Sequence, residues 1–148
     1  MSIKTFRGLL VDGQQERIRL ETRDGKTGYR IKKLQVITHS PADSAPEAIL
    51  KIFSIPQTTV TAKIDFSDQT LLAAAFYNQD STAANIVSEA IVFDIVTFNQ
   101  NIHLTYIDDN AGSATKLNYY LELEQISLDD VEATAVILKN FRNTNTVV

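Results

Sequence analysis

The sequence predicts a mainly β protein, an antiparallel β-sandwich or jelly roll of about eight or nine strands, closed by one C-terminal helix over about residues 127–142. Three observations predict it. Several stretches alternate strictly between apolar and polar residues, the side-chain period of a strand with one buried and one wet face. Turn-forming residues interrupt the chain roughly every eight to twelve positions. Helical spacing emerges only near the C-terminus, which argues against βαβ units.

The elements follow in order. Ile3 to Val11 reads as a first strand, closed by the turn dipeptide Asp12-Gly13. In Glu16 to Thr22, Ile18 and Leu20 point one way and Arg17, Arg19 and Glu21 the other. Asp24-Gly25 then lies between two strand-like runs, a short-range hairpin signal. The run Thr27 to Thr38 changes register, with Tyr29 and Ile31 on one parity and Leu34 and Val36 on the other. That switch at Lys32-Lys33 predicts a bulge or a change of packing partner. His39 to Glu47, with two prolines, is a loop.

Ile49 to Ile55 is almost continuously apolar and fits a strand covered on both faces, ended by Pro56. Thr58 to Phe66 alternates again, Val60, Ala62, Ile64 and Phe66 against Thr59, Thr61, Lys63 and Asp65. Leu71 to Tyr77 is too short for more than about two helical turns and reads as a strand despite its alanines. After a polar loop from Asn78 to Asn85, Glu89 to Phe98 is rich in β-branched and aromatic residues and reads as a core strand. A tight connection at Asn99-Gln100-Asn101 leads to the strand Ile102 to Ile107, and Asp108 to Lys116 is a loop tip.

Leu117 to Phe141 is the stretch that the others must fit around. Leu117, Tyr119, Leu121 and Leu123 share one face, and Asn118, Tyr120, Glu122 and Glu124 the other, as in a central half-buried strand. At Ser127 the period changes. Ser127 with Asp130 forms a capping-box pattern, and Asp129, Asp130 and Glu132 suit the positive end of a helix dipole. Val131, Ala135 and Leu138 then form an apolar stripe expected to cover the sheets, with Lys139 and Arg142 near the helix end. Asn143 to Val148 reads as a loose tail.

A chain of 148 residues is long enough to bury a substantial core as one domain, residues 1–148. It has no cysteine, which removes disulfides, thiolate metal ligands and a thiol nucleophile. No apolar run reaches the length of a signal segment or a membrane span, so a non-exported protein with no membrane partner is expected. The net charge of −4 is unevenly placed: residues 1–64 hold 11 Lys/Arg against 6 Asp/Glu, and residues 65–148 hold 3 against 12. Either the two halves complement each other within one fold, or the chain carries a basic and an acidic patch for docking. An acidic pI of about 5.1 argues against nucleic acid as a partner.

Catalytic constellations are not legible. The two histidines, His39 and His103, have no companions at ligand spacing. Asp108-Asp109-Asn110 before Gly112 superficially resembles a calcium loop but lacks the alternating acids and closing glutamate. Glu122 and Glu124 are two apart on one strand, the ordinary pattern of a solvated face. Five glycines form no phosphate loop, and no serine sits in a nucleophile elbow. No enzyme activity, metal or cofactor is expected.

The densest charge cluster is Arg17, Arg19, Arg23, Lys26, Arg30, Lys32 and Lys33, which a hairpin at Asp24-Gly25 would bring together. It is either a solvated hairpin guarded against edge pairing or a docking arm for an acidic surface.

Three stretches carry a resemblance: TFRGLLVDGQQERIRLETRDGKTGYRI, IDFSDQTLLAAAFYN and NYYLELEQISLDDVEATAVILKNFR. Together, over most of the chain, the sequence resembles small virion proteins of marine tailed bacteriophages. The resemblance implies a capsid cement or decoration protein, assembled in the host cytoplasm, that sits between major capsid subunits, commonly as a homo-trimer. Neck, tail and vertex components are alternatives within the virion. A glycan- or receptor-binding sandwich, using loops 39–47, 78–85 or 108–116, is the alternative outside it.

Overall fold

The computed structural model describes residues 2–40, 46–79, 86–110 and 115–146, with side chains described as far as Lys139. Eight strands form two antiparallel sheets stacked as a sandwich, and one helix follows. The strands are β1 (Ser2–Val11), β2 (Gln15–Ile18), β3 (Thr27–Thr38), β4 (Glu47–Phe53), β5 (Leu71–Gln79), β6 (Ile86–Val92), β7 (Ile102–Asp108) and β8 (Lys116–Ser127), and the helix is α1 (Asp130–Thr146). Sheet A has the order β1-β8-β3, and sheet B the order β2-β7-β4-β5-β6. The strands divide three and five between the two sheets of the sandwich.

As the alternation required, β8 is the middle strand of sheet A, with β1 on one side and β3 on the other. Its inward side chains Leu117, Tyr119, Leu121 and Leu123 join Leu10, Ile31, Leu34 and Val36. Opposite them Ile18, Leu50, Ile52, Ile102, Leu104 and Tyr106 project from sheet B into the same core. Each such side chain contributes roughly 1.5–3 kcal/mol through burial. The register switch in β3 is a bulge: the pairing with β8 shifts between Ile31 and Lys33, so Ile31 and Leu34 both point inward despite their opposite parity.

The chain changes sheets early. At Asp12-Gly13 it turns with Gly13 at φ 83°, a left-handed conformation suited to glycine. Gly13 N–H then donates to the Tyr106 carbonyl (2.9 Å), which seats β2 beside β7 in sheet B. The Asp24-Gly25 turn does form, with Gly25 at φ 67° and Lys26 N–H donating to Asp24 Oδ1 (3.0 Å). It does not close a hairpin, however, because β2 pairs with β7 and β3 with β8. The turn crosses between layers. β2 also ends at Ile18, sooner than the alternation to Thr22 implied, because Leu20 and Glu21 give their N–H groups to Asn101 Oδ1 instead of to a strand.

Three further expectations are corrected. Thr58 to Phe66 is not a strand; residues 54–70 cross the outer face of sheet B as a loop with no ladder of its own. Alternation marks which side chains can face in, but a strand also needs a backbone neighbour. Glu89 to Phe98 is not a core strand: β6 lies at the edge of sheet B, Ile86, Val87 and Ile91 are exposed, and the chain turns away after Val92. β-branched residues favour a pleated surface wherever it lies, at an edge as well as a centre.

The helix is the third correction. Its cap is Asp129, whose Oδ1 accepts the Glu132 N–H (2.7 Å), not Ser127. It runs to Thr146, through much of the expected tail, and its last turn carries no basic residue. Val131 and Leu138 of the expected buried stripe are exposed, while Ala133 is buried and Val136 half-buried. The entry explains the rotation. Leu128 is buried and its N–H donates to the Lys26 carbonyl (2.7 Å), which turns the Ala133 side toward the body. Ile137 comes against Gly25, and a side chain there would meet both it and Asn99 at 3.2 Å.

Candidate docking surface

The seven basic residues proposed to form one arm are dispersed by the change of sheet. Arg17 lies in β2 opposite His103 of β7, while Arg30, Lys32 and Lys33 lie in β3 of the other sheet. Three of them are engaged within the chain. Lys26 pairs with Asp130 at the helix start (2.8 Å), Arg30 Nε donates to Thr97 Oγ1 (2.9 Å), and Lys32 pairs with Glu124 (3.1 Å). Arg17, Arg19, Arg23 and Lys33 are exposed. Part of the charge asymmetry is thus answered internally, since two of the acidic partners, Glu124 and Asp130, come from the acidic second half.

The surface that the sequence did not single out is the outer face of sheet A. Register places side chains there in three cross-strand rows: Leu9, Asn118 and Ile37; Arg7, Tyr120 and Gln35; Thr5, Glu122 and Lys33. The first two rows line a shallow open groove. Leu9 is 41% and Ile37 62% exposed; Val11 (45%) follows Leu9 along β1, and Ile3 (53%) stands at the other end beyond Thr5 and Arg7. Exposed large apolar side chains grouped like Leu9, Val11 and Ile37 mark candidate interaction sites on monomeric folds. Tyr120 Oη donates to Glu122 Oε2 (2.8 Å), which raises the Tyr120 pKa and fixes the ring over the middle of the face. The sequence signal was present but masked: Leu9, Leu10 and Val11 are consecutive, so only pairing with β8 shows which of them face out.

Behind the face, Gly8 and Tyr119 pair directly across β1 and β8. The Tyr119 ring lies over the bare glycine and its hydroxyl donates to Glu16 Oε2 of β2 (2.9 Å), tying sheet A to sheet B. Burial, reinforced by that carboxylate, raises the Tyr119 pKa. Tyr106 is likewise pushed up to about 12 by burial, with its hydroxyl 2.7 Å from Thr115 Oγ1.

The candidate chemical residues lie apart. His39 directly follows β3, with Nδ1 3.0 Å from Ser40 Oγ. His103 is half-buried in β7, its pKa lowered by burial and then by Arg17. Asp108 is a structural corner, accepting from Glu47 N–H (3.1 Å), Asn110 N–H (3.1 Å) and Thr115 Oγ1 (2.6 Å). Among the described residues no group of three or more His, Asp or Glu gathers to hold a metal ion, and no helix is long and apolar enough to cross a membrane. Of the loops offered for glycan binding, residues 41–45, 80–85 and 111–114 lie outside the described residues.

Lys51 is the unanticipated buried cation. It stands in the apolar run of β4, 5% exposed, beneath the loop 54–70. Its ammonium donates to Thr61 Oγ1 (3.2 Å) and to the Lys63 carbonyl and lies 5.5 Å from the Phe53 ring centroid. With the paired Gln15 and Gln57 contacts, it fastens the loop to sheet B. Burial lowers its pKa, and Asp68 offsets part of that. The destabilisation from holding this charge is complete below its folded pKa and fades as pH rises toward the ordinary 10.5. Lys51→Met is expected to release the loop: trypsin should cut after Lys63 several times faster, with a fall in melting temperature of only ~3–6 °C. Unchanged proteolysis would show that the loop is held by other contacts.

No protein-family model matches the sequence, and no curated protein matches it.

Proposed function

We propose that this chain is a non-enzymatic structural subunit of a phage particle, a capsid cement or decoration protein that binds between major capsid subunits and stiffens the shell. The supporting observation is the outer face of sheet A, where Leu9, Ile37 and Val11 stand at solvent on the two strands that flank β8. An open face with Leu9, Val11 and Ile37 toward one end, Tyr120 in the middle and Lys33 and Glu122 toward the other suits a protein surface better than a small ligand. Its work is mechanical. Apolar area buried at each contact adds over a symmetric lattice, so weak individual binding becomes a large resistance to internal pressure. The sequence resemblance supplies the virion setting, and the sandwich is compatible with it.

The test is co-sedimentation of the purified chain with expanded empty shells from the phage genome that encodes it, followed by cryo-electron microscopy. Density over the capsid lattice is expected. Ile37→Asp, at an exposed position on β3, should lower binding at least tenfold and leave the thermal melt unchanged. Density confined to a vertex, neck or tail would replace the cement role with one of those positions. Absence from the particle would end the virion reading.

A further inference from the structure

β1 is an edge strand of ten residues with no proline and no bulge in its pairing with β8. Long, regular edges of this type are templates for a further strand. The direction of its free backbone groups can be read at Val11. Val11 N–H donates to Gln14 Oε1 (2.9 Å) and its carbonyl accepts from Gln14 N–H (3.0 Å), so both point away from β8. Consistently, Lys116 across from it turns its carbonyl the other way, to His39 N–H of the β3 side (2.9 Å). By the pleat, Ile3, Thr5, Arg7 and Leu9 also direct N–H and C=O outward. Among the described residues none accepts or supplies a hydrogen bond to those four positions on that side.

We propose that this edge pairs antiparallel with β1 of a second copy, residue i opposite residue 12 − i, so that two sheets A become one six-stranded sheet about a two-fold axis at Phe6. The register follows from the side chains. It sets Ile3 opposite Leu9 of the other copy and Thr5 opposite Arg7, all of them outward-directed positions, and forms about eight backbone hydrogen bonds. Phe6, only partly buried within one copy, meets its own equivalent on the inner face, where a non-hydrogen-bonded pair brings side chains closest. A shift by two residues in one direction stacks Arg7 on Arg7, and in the other leaves Leu9 outside the ladder.

Charge fits as well. Thr5 has Glu122 as its neighbour on β8, so Arg7 of the second copy, opposite Thr5, reaches across it toward that carboxylate. The outer row Leu9, Asn118 and Ile37 gains Ile3 of the other copy and becomes longer. This contact does not depend on the virion reading.

Sedimentation velocity on the full chain tests it. A species of about 33 kDa, twice the 16.5 kDa chain, is expected at micromolar concentration. Thr5→Pro removes an outward N–H without touching the β1–β8 ladder, and should weaken the dimer at least tenfold with an unchanged circular dichroism spectrum. Because the chain has no cysteine, Phe6→Cys should cross-link to itself on oxidation, whereas Lys4→Cys should not. A monomer at all concentrations, a trimeric mass, a dimer indifferent to Thr5→Pro, or equal cross-linking at Lys4 would overturn the inference. Ile37→Asp, two strands away, should leave the dimer intact, so loss of shell binding and loss of the dimer are separable.

Discussion

Replacing Leu121 by alanine is expected to lower the unfolding free energy by about 3–5 kcal/mol, while Asn118→Ala on the same strand changes it by less than about 0.5 kcal/mol. Leu121 is fully buried at the centre of β8, between Phe6 of β1 and Leu34 of β3, and faces sheet B. Three of its flanks belong to rigid paired strands, so the space left by the lost atoms cannot collapse. The large end of the range for such truncations is therefore expected. Asn118 is exposed on the opposite face and leaves no cavity. Urea unfolding of both variants, with equal slopes, measures the contrast. Similar losses at the two sites would mean that β8 is not buried on one face.

The second large effect is at Gly8. A Cβ there would stand 2.8 Å from Tyr119 Cε1 and 2.9 Å from its hydroxyl oxygen, closer than packed atoms come. The ring cannot simply swing aside, because it is buried and its hydroxyl is held by Glu16. Gly8→Val is therefore expected to cost about 3 kcal/mol from overpacking and from loss of the tie between the sheets. Tyr119→Leu should itself be destabilising, yet combined with Gly8→Val it should recover at least ~1 kcal/mol relative to additivity. Strict additivity in that cycle would show that the two side chains do not compete for space.

The sheet architecture was legible where local pattern and tertiary environment agree. β8 and β3 were readable because alternation in the one, and its interruption at Lys32 in the other, follow from having a buried face. The fate of Thr58 to Phe66 and of the Asp24-Gly25 turn was not, because both depend on which backbone lies alongside. A period of two is necessary for a ladder and insufficient for it. The basic cluster dissolved for the same reason: Arg17 and Lys33 are near in sequence, and a change of sheet between them places them in different layers. Lys51 was visible as a lone cation in an apolar run, but its partners, Thr61 and Lys63, come from a segment whose alternation suggested a strand. The outer apolar rows of sheet A needed the β1–β8 register to be seen at all.

The placement of β8 between the first and third strands has a consequence for biosynthesis. Ser2 waits for Gln125 and Thr27 for Ser127, so neither flank of that layer has a neighbour until residues 116–127 have left the ribosome. At ordinary translation speeds the nascent N-terminal segment stays unzipped for on the order of ten seconds. Such long-range closure makes for slow maturation, and adjacent ribosomes on one message would hold several sticky leading segments side by side. Rapid overproduction should therefore favour inclusion bodies, and slower, cooler synthesis the native product.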